Sequence, residues 1–219
     1  MDDLNNDVLD DNENEELVTA ADVIEKLEEV WVNEKLAPEL LQYQDELIDC
    51  MLDQIKYMET NLQKIEKEDF RVVFHKMELD RIKYVLSSYL RTRLEKIEKF
   101  GPSLLHQESQ DETNMDLMSN EERLFAAKYT TNIKNYLHEV ALKNMPVNMQ
   151  SVQLEEICSK PQMDKSVFMK VKTGSEGVVI ENFSDYGEEE IVDLAAGTQH
   201  VIRYRPIAPL LKNGSVKLI

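Results

Sequence analysis

Residues 77–100, MELDRIKYVLSSYLRTRLEKIEKF, decide the fold. With Arg81 set at 0° and about 100° per residue, Ile82, Val85, Leu86, Tyr89, Leu90, Leu94 and Ile97 fall between roughly 40° and 220°. One apolar arc sustained over this length is a helical signal. The helix is read from about Asp69 to Phe100, where Gly101-Pro102 predicts a firm stop. Arg93 falls near 120° on the same wheel, in the middle of the apolar arc. Two fates are open to it. Its guanidinium is buried against a carboxylate of another helix or subunit, since an unpaired buried charge costs several kcal/mol. Alternatively its stem covers apolar surface and its head snorkels to solvent.

Similar periodicity extends outward on both sides. Leu47, Met51, Ile55, Met58, Leu62 and Ile65 form one stripe, predicting a helix from about Pro38 to Lys67. Before it, Thr19 and Asp22 resemble a capping box ahead of Val23, Ile24, Leu27, Val30 and Trp31, and Pro38 ends that first helix. After it, residues 106–118 read as a polar, acidic loop. Ser119 and Glu122 then form a capping box. Leu124, Phe125, Ala127, Tyr129, Ile133, Tyr136, Leu137, Val140 and Ala141 carry a fourth helix that stops before Met145-Pro146. From about Lys165 the period changes. Short strands are expected at Val167–Val171, Val178–Ile180, Ile191–Leu194, His200–Tyr204 and Val216–Ile219, separated by Gly174, Gly177, Gly187, Gly197 and Gly214. The expected fold is mainly α with a small β-rich C-terminal domain (α+β). An acidic tail (1–18) precedes a helical domain of about four helices (19–145), a linker (146–164) and the β domain (165–219).

Composition narrows the function. A net charge of −18 over 219 residues argues against non-specific attraction to nucleic acid or to an anionic membrane. The first 18 residues hold eight acidic side chains and no basic one, the pattern of a solvated tail, although Leu4, Val8 and Leu9 leave room for a short helix formed on a partner. Cys50 and Cys158 match no metal spacing and read as reduced thiols of an intracellular protein. No secretory signal, membrane-length apolar run or basic import cluster is visible.

Catalytic signatures are missing. No glycine loop precedes a helix to cradle phosphate, and no Gly-x-Ser-x-Gly elbow occurs. His75 and Glu78 share a helix face, but no second such pair exists to complete a metal site. We expect no enzyme activity, no metal and no cofactor. The rival reading is a nucleic-acid-binding module built on the basic third helix, where nine basic face six acidic side chains between Lys67 and Lys99. Its charges spread around the wheel, however, and form no stripe along one phosphate backbone.

Taken together, several stretches resemble a known family. Trp31 with Asn33-Glu34, the run Ala37-Pro38-Glu39-Leu40-Leu41, the segment from Met77 to Phe100, and Val140-Ala141-Leu142-Lys143-Asn144-Met145-Pro146 are similar to GINS subunits of the Sld-five type. So are Gln199-His200-Val201-Ile202-Arg203-Tyr204 and Ile207-Ala208-Pro209-Leu210-Leu211. The resemblance covers about residues 19–219 and implies a helical domain followed by a small β domain. It implies a heterotetramer with three other GINS subunits, docking on the MCM helicase ring with its Cdc-type cofactor, contacts to replicative polymerases or a replisome adaptor, and a nuclear address. It implies no catalysis, at most indirect contact with DNA, and no membrane. The residues expected at a partner interface are Trp31, Arg81, Tyr84, Tyr89, Arg93, Ile207, Leu210, Leu218 and Ile219. In some relatives the tail carries a short adaptor motif, and Asp2-Asp3-Leu4 and Val8-Leu9-Asp10 loosely resemble it through Leu4, Val8 and Leu9.

Overall fold

A computed structural model describes residues 20–64, 70–110, 117–151, 153–181 and 189–219. Leu4, Val8, Leu9, Thr19, Ile65, Lys67, Asp69 and Gly187 lie outside the described residues, as do residues 111–116 of the acidic loop. The chain runs α1 (Ala20–Leu36), α2 (Asp45–Lys64), α3 (Phe70–Gln110) and α4 (Asn120–Val140). Two 3-10 turns (Leu142–Asn144, Val147–Met149) and the single turn α5 (Leu154–Ile157) lead to the β domain. There β1 (Ser166–Val171), β2 (Ser175–Glu181), β3 (Glu189–Leu194), β4 (Gln199–Arg203), α6 (Tyr204–Lys212) and β5 (Val216–Leu218) follow. No helix among the described residues is long and apolar enough to cross a membrane.

The arc read from Met77–Phe100 is the core of the bundle. Leu79, Ile82, Val85, Leu86 and Tyr89 of α3 bury against Leu27 of α1 and Ile48, Met51 and Ile55 of α2. A second cluster joins Ile97, Phe100 and Leu104 of α3 to Leu40, Met118 and Ala126. This cluster explains why Gly101-Pro102 does not stop the helix. Proline removes one backbone donor, but Phe100 and Leu104 on either side of it both bury against α4 and its approach, and the helix continues to Gln110. Residues 106–110, read as loop, are therefore helical. At the far end of that connection Leu117 and Met118 are ordered, and Met118 is buried.

The second helix also starts later than expected, at Asp45 and not at Pro38. Residues 38–43 cross the bundle outside either helix, and two of their carbonyls serve remote side chains: Lys96 donates to Glu39 and Arg93 donates to Leu41. The capping box forms as read. Glu122 N–H donates to Ser119 Oγ and Ser119 N–H donates to the Glu122 carboxylate, each at 3.1 Å. On α4 the buried face is Glu122, Ala126 and Thr130. Leu124, Tyr136 and Val140, assigned to the apolar face from the sequence, are exposed.

All five strands appear. β1 is central in the antiparallel order β4-β1-β5, and β2 pairs with β3. Val167, Met169 and Val171 of β1 and Val216 and Leu218 of β5 point inward. Tyr204, expected to end a strand, instead begins α6, whose Tyr204, Ile207, Ala208 and Leu211 cover that inner face. Pro206 sits in the first turn, where its missing N–H has no intrahelical partner to lose. Gly214, with φ at +71°, ends α6 in the left-handed conformation.

The β domain leans on the helical domain of its own chain. Ala37 is buried in the β-domain core, with Leu36 and Leu41 packed beside it. Leu218 N–H donates to Asn33 Oδ1 at 2.8 Å, Tyr204 Oη donates to Glu39 Oε1 at 2.8 Å, and Lys172 pairs with Glu29 at 2.6 Å.

Candidate assembly surfaces

Arg93 settles the first question the sequence raised: it does not snorkel. Its side chain is fully buried and all five of its N–H donors are used. Nε and Nη2 hold the Glu122 carboxylate at 2.8 and 2.9 Å, and Nη1 reaches Glu34 Oε2 at 3.1 Å. The remaining two donate to the carbonyls of Leu41 and Leu117, both at 2.7 Å. Tyr43 and Tyr89 place their rings near the guanidinium, at 5.1 and 5.7 Å. Burial works against the charge, yet the hydrogen bonds to Glu122 and the charge of Glu34 outweigh it and hold the proton more tightly than in an ordinary arginine. Lys96 takes the second oxygen of Glu34 at 2.7 Å. Burial pushes its pKa down, with the nearby Arg93 adding to the effect and Glu34 opposing it.

This network is a clamp. It joins α1 through Glu34, the 38–43 crossing through Leu41, α3 through Arg93 and Lys96, and α4 through Glu122. Its ionised groups are consumed by one another, so it offers a ligand nothing. Among the described residues no group of three or more histidine, cysteine or carboxylate side chains could hold a metal.

The nine residues expected at a partner interface separate into two sets. Tyr89, Arg93, Ile207 and Leu218 are buried inside this chain and present no side-chain surface to a partner. Trp31 is partly covered, its Nε1 donating to Ser88 Oγ at 2.9 Å and its ring edge-on to Tyr84. Arg81 lies on the surface, where it bridges Glu78 at 2.8 Å and Glu28 of α1. Leu210 is half-buried against the β-domain core. Tyr84 and Ile219 are exposed, at 64% and 52%.

Exposed Tyr84 belongs to a larger feature that the sequence reading missed. Phe70, Val73, Phe74 and Met77 are each at least half exposed and share its face. On the wheel used above they fall between roughly 280° and 20°, opposite the core arc. The signal was present as a second apolar arc on the same helix. Phe168 and Val201, paired across β1 and β4, add an exposed apolar patch, and Ile219 N–H donates to the Phe168 carbonyl. Clustered exposed apolar side chains of this kind are the sort of surface that meets other proteins.

A bundle locked by an internal ion-pair clamp, followed by a small β domain and carrying uncovered apolar faces, is the build of a subunit made for a larger assembly. Its relatives specify which one. Residues 40–141 match the family described as "GINS complex protein helical bundle domain", and residues 161–219 match "DNA replication complex GINS protein SLD5 C-terminus". Proteins named "DNA replication complex GINS protein SLD5" are similar over nearly the whole chain. The one from Xenopus laevis is 46% identical over 209 residues, covering 95% of each chain, and the one from Homo sapiens is 44% identical over 211 residues, covering 96% of this chain and 95% of the relative. The Arabidopsis thaliana protein is 32% identical over 216 residues, covering 94% of both. The chain is a GINS protein of DNA replication. Within that class it belongs to the SLD5 family.

Proposed function

We propose that the chain is a non-catalytic, structural subunit of the GINS heterotetramer, held with three other GINS subunits. That tetramer supports initiation and elongation of replication in the nucleus, as part of the replicative helicase with the MCM ring and its Cdc-type cofactor. Replicative polymerases or a replisome adaptor are its further contacts, and DNA contact is indirect at most. One observation carries the reading. The stripe Phe70, Val73, Phe74, Met77 and Tyr84 is exposed on a helix whose opposite face is already packed into a core. A lone soluble chain has little reason to keep such a face. Obligate interfaces bury roughly 2,000 Å² or more and resemble a core cut in half. The basic side chains of α3 support the same reading over direct DNA binding. Arg81, Lys83, Arg93 and Lys96 are engaged by carboxylates of this chain, so they form no free stripe for a phosphate backbone.

Co-expression with the other three GINS subunits, followed by sizing, tests the proposal. The unmodified chain should co-elute as a tetramer. Phe74→Glu with Met77→Glu should abolish co-elution while the far-ultraviolet helix signal is kept, since both side chains face solvent within the chain. Normal assembly of the double variant would remove the stripe as the carrier of this function.

A further inference from the structure

We propose that the cleft between the N-terminal ends of α2 and α4 is a docking groove for a basic amphipathic helix of a partner protein outside the tetramer. The cleft measures about 1390 Å³. Its floor is apolar. Leu90 and Leu94 of α3, Leu52 of α2 and Phe125 of α4 all line it, with Leu52 and Leu94 more than a third exposed. Its rim is acidic. Asp45, Glu46 and Asp49 line one side and Glu121 the other, and none of the four has a basic partner among the described residues. Two basic side chains reach the cleft, Lys26 and Arg123, and Arg123 is held by Glu108 at 3.1 Å. Glu122 belongs to the Arg93 clamp and adds no free charge.

An apolar floor with a carboxylate rim selects its occupant by chemistry. Leucine-like anchors at i, i+3, i+4 and i+7 fill such a floor, and lysines or arginines flanking them meet the rim. The chain's own tail is excluded as occupant, because its first 18 residues carry eight acidic side chains and no basic one. A second copy is excluded by a net charge of −18 on each. Nucleic acid has the wrong sign.

The inference is separate from the assembly reading, which rests on the opposite face of α3, and the two fail separately. The test uses the full chain assembled with its GINS subunits. The probe is a labelled peptide of leucine and lysine patterned at i, i+3, i+4 and i+7, with a leucine–glutamate peptide of the same pattern as its counterpart. Fluorescence anisotropy should show binding of the lysine peptide that weakens steeply with salt, and none of the glutamate peptide. Neutralising the rim with Asp45→Asn, Glu46→Gln, Asp49→Asn and Glu121→Gln should lower affinity about tenfold or more at low ionic strength. Leu94→Ser should lower it without changing the salt dependence. Absence of binding, or equal binding to the neutralised rim, overturns the proposal. Loss of the tetramer in the rim variant also overturns it, because the cleft would then seat another GINS subunit. If the unmodified chain forms no tetramer, the assembly reading fails instead. The same titrations on the chain alone then decide the groove.

Discussion

Replacing Arg93 with alanine perturbs the molecule at its most connected point. The substitution removes five hydrogen bonds, three of them to carboxylates. At roughly 1.5–3 kcal/mol for each bond to a charged group their gross worth would rival the whole stability of a typical domain, about 5–15 kcal/mol. The gross figure is not the effect, because returning the guanidinium to water recovers several kcal/mol of desolvation. What remains is the state of the partners. Glu34 keeps Lys96 at 2.7 Å and stays compensated. Glu122 keeps only the Ser119 N–H and becomes a nearly buried carboxylate without a counter-charge. Breaking a buried pair in this way costs about 3–5 kcal/mol, or a fall in Tm of about 6–20 °C at this chain length.

Urea unfolding followed by the fluorescence of Trp31, the sole tryptophan, suits the measurement, since its Nε1 bonds Ser88 across the α1–α3 contact. Arg91→Ala, at an exposed position of the same helix, should change stability by less than about 0.5 kcal/mol. If Arg93→Ala leaves no folded chain, Arg93→Lys gives a graded version, keeping the charge and losing the two-pronged grip on Glu122. The strongest check is the cycle with Glu122→Gln. Removing the stranded carboxylate's charge should recover part of the loss, giving strongly non-additive effects. Additive effects, or a cost for Arg93→Ala no larger than for Arg91→Ala, would refute the clamp.

Two further outcomes follow from the tyrosines. Tyr89 buries a hydroxyl with no hydrogen-bond partner among the described residues, so Tyr89→Phe should raise stability by about 1 kcal/mol in the same urea assay. Burial raises the pKa of Tyr89, and burial together with Glu39 raises that of Tyr204. Above pH about 10 the unfolded chain loses these protons while the folded chain keeps them, so each tyrosine removes up to about 1.4 kcal/mol per pH unit. Lys96, with its pKa lowered, acts in the opposite sense just below that window. Stability should therefore hold up to pH about 10 and fall steeply beyond. Ultraviolet titration should show these phenols ionising together with unfolding, and independent ionisation at ordinary values would contradict their burial.

How much of this was legible in the sequence depends on the range of the interaction involved. The core of α3 was readable because periodicity is local and sustained. The Ser119–Glu122 cap was readable because it spans one turn. The place of Arg93 in the apolar arc was readable from the wheel, but not whether it pairs or snorkels, nor the carboxylates' identity, since Glu34 and Glu122 come from distant helices. Two boundaries failed where remote contacts meet a local signal. Gly101-Pro102 is a local stop signal overridden by Phe100 and Leu104 packing on α4 and its approach. Pro38 is a local start signal that does not hold where Arg93 and Lys96 take up the carbonyls of Leu41 and Glu39. The exposed stripe of Phe70 to Tyr84 was visible as an apolar arc, yet periodicity alone does not say which of two arcs a chain buries for itself.

The crossing at 38–43 links these long-range effects. Arg93 and Lys96 fix its backbone from below, while Ala37 and Glu39 carry it into the β domain, the first buried in that core and the second accepting from Tyr204. One short segment therefore sets the helical bundle and the β domain relative to each other. Loss of Arg93 should be felt at Tyr204 as well as at Glu122, because the β domain, small for an independent core, leans on a segment that Arg93 holds.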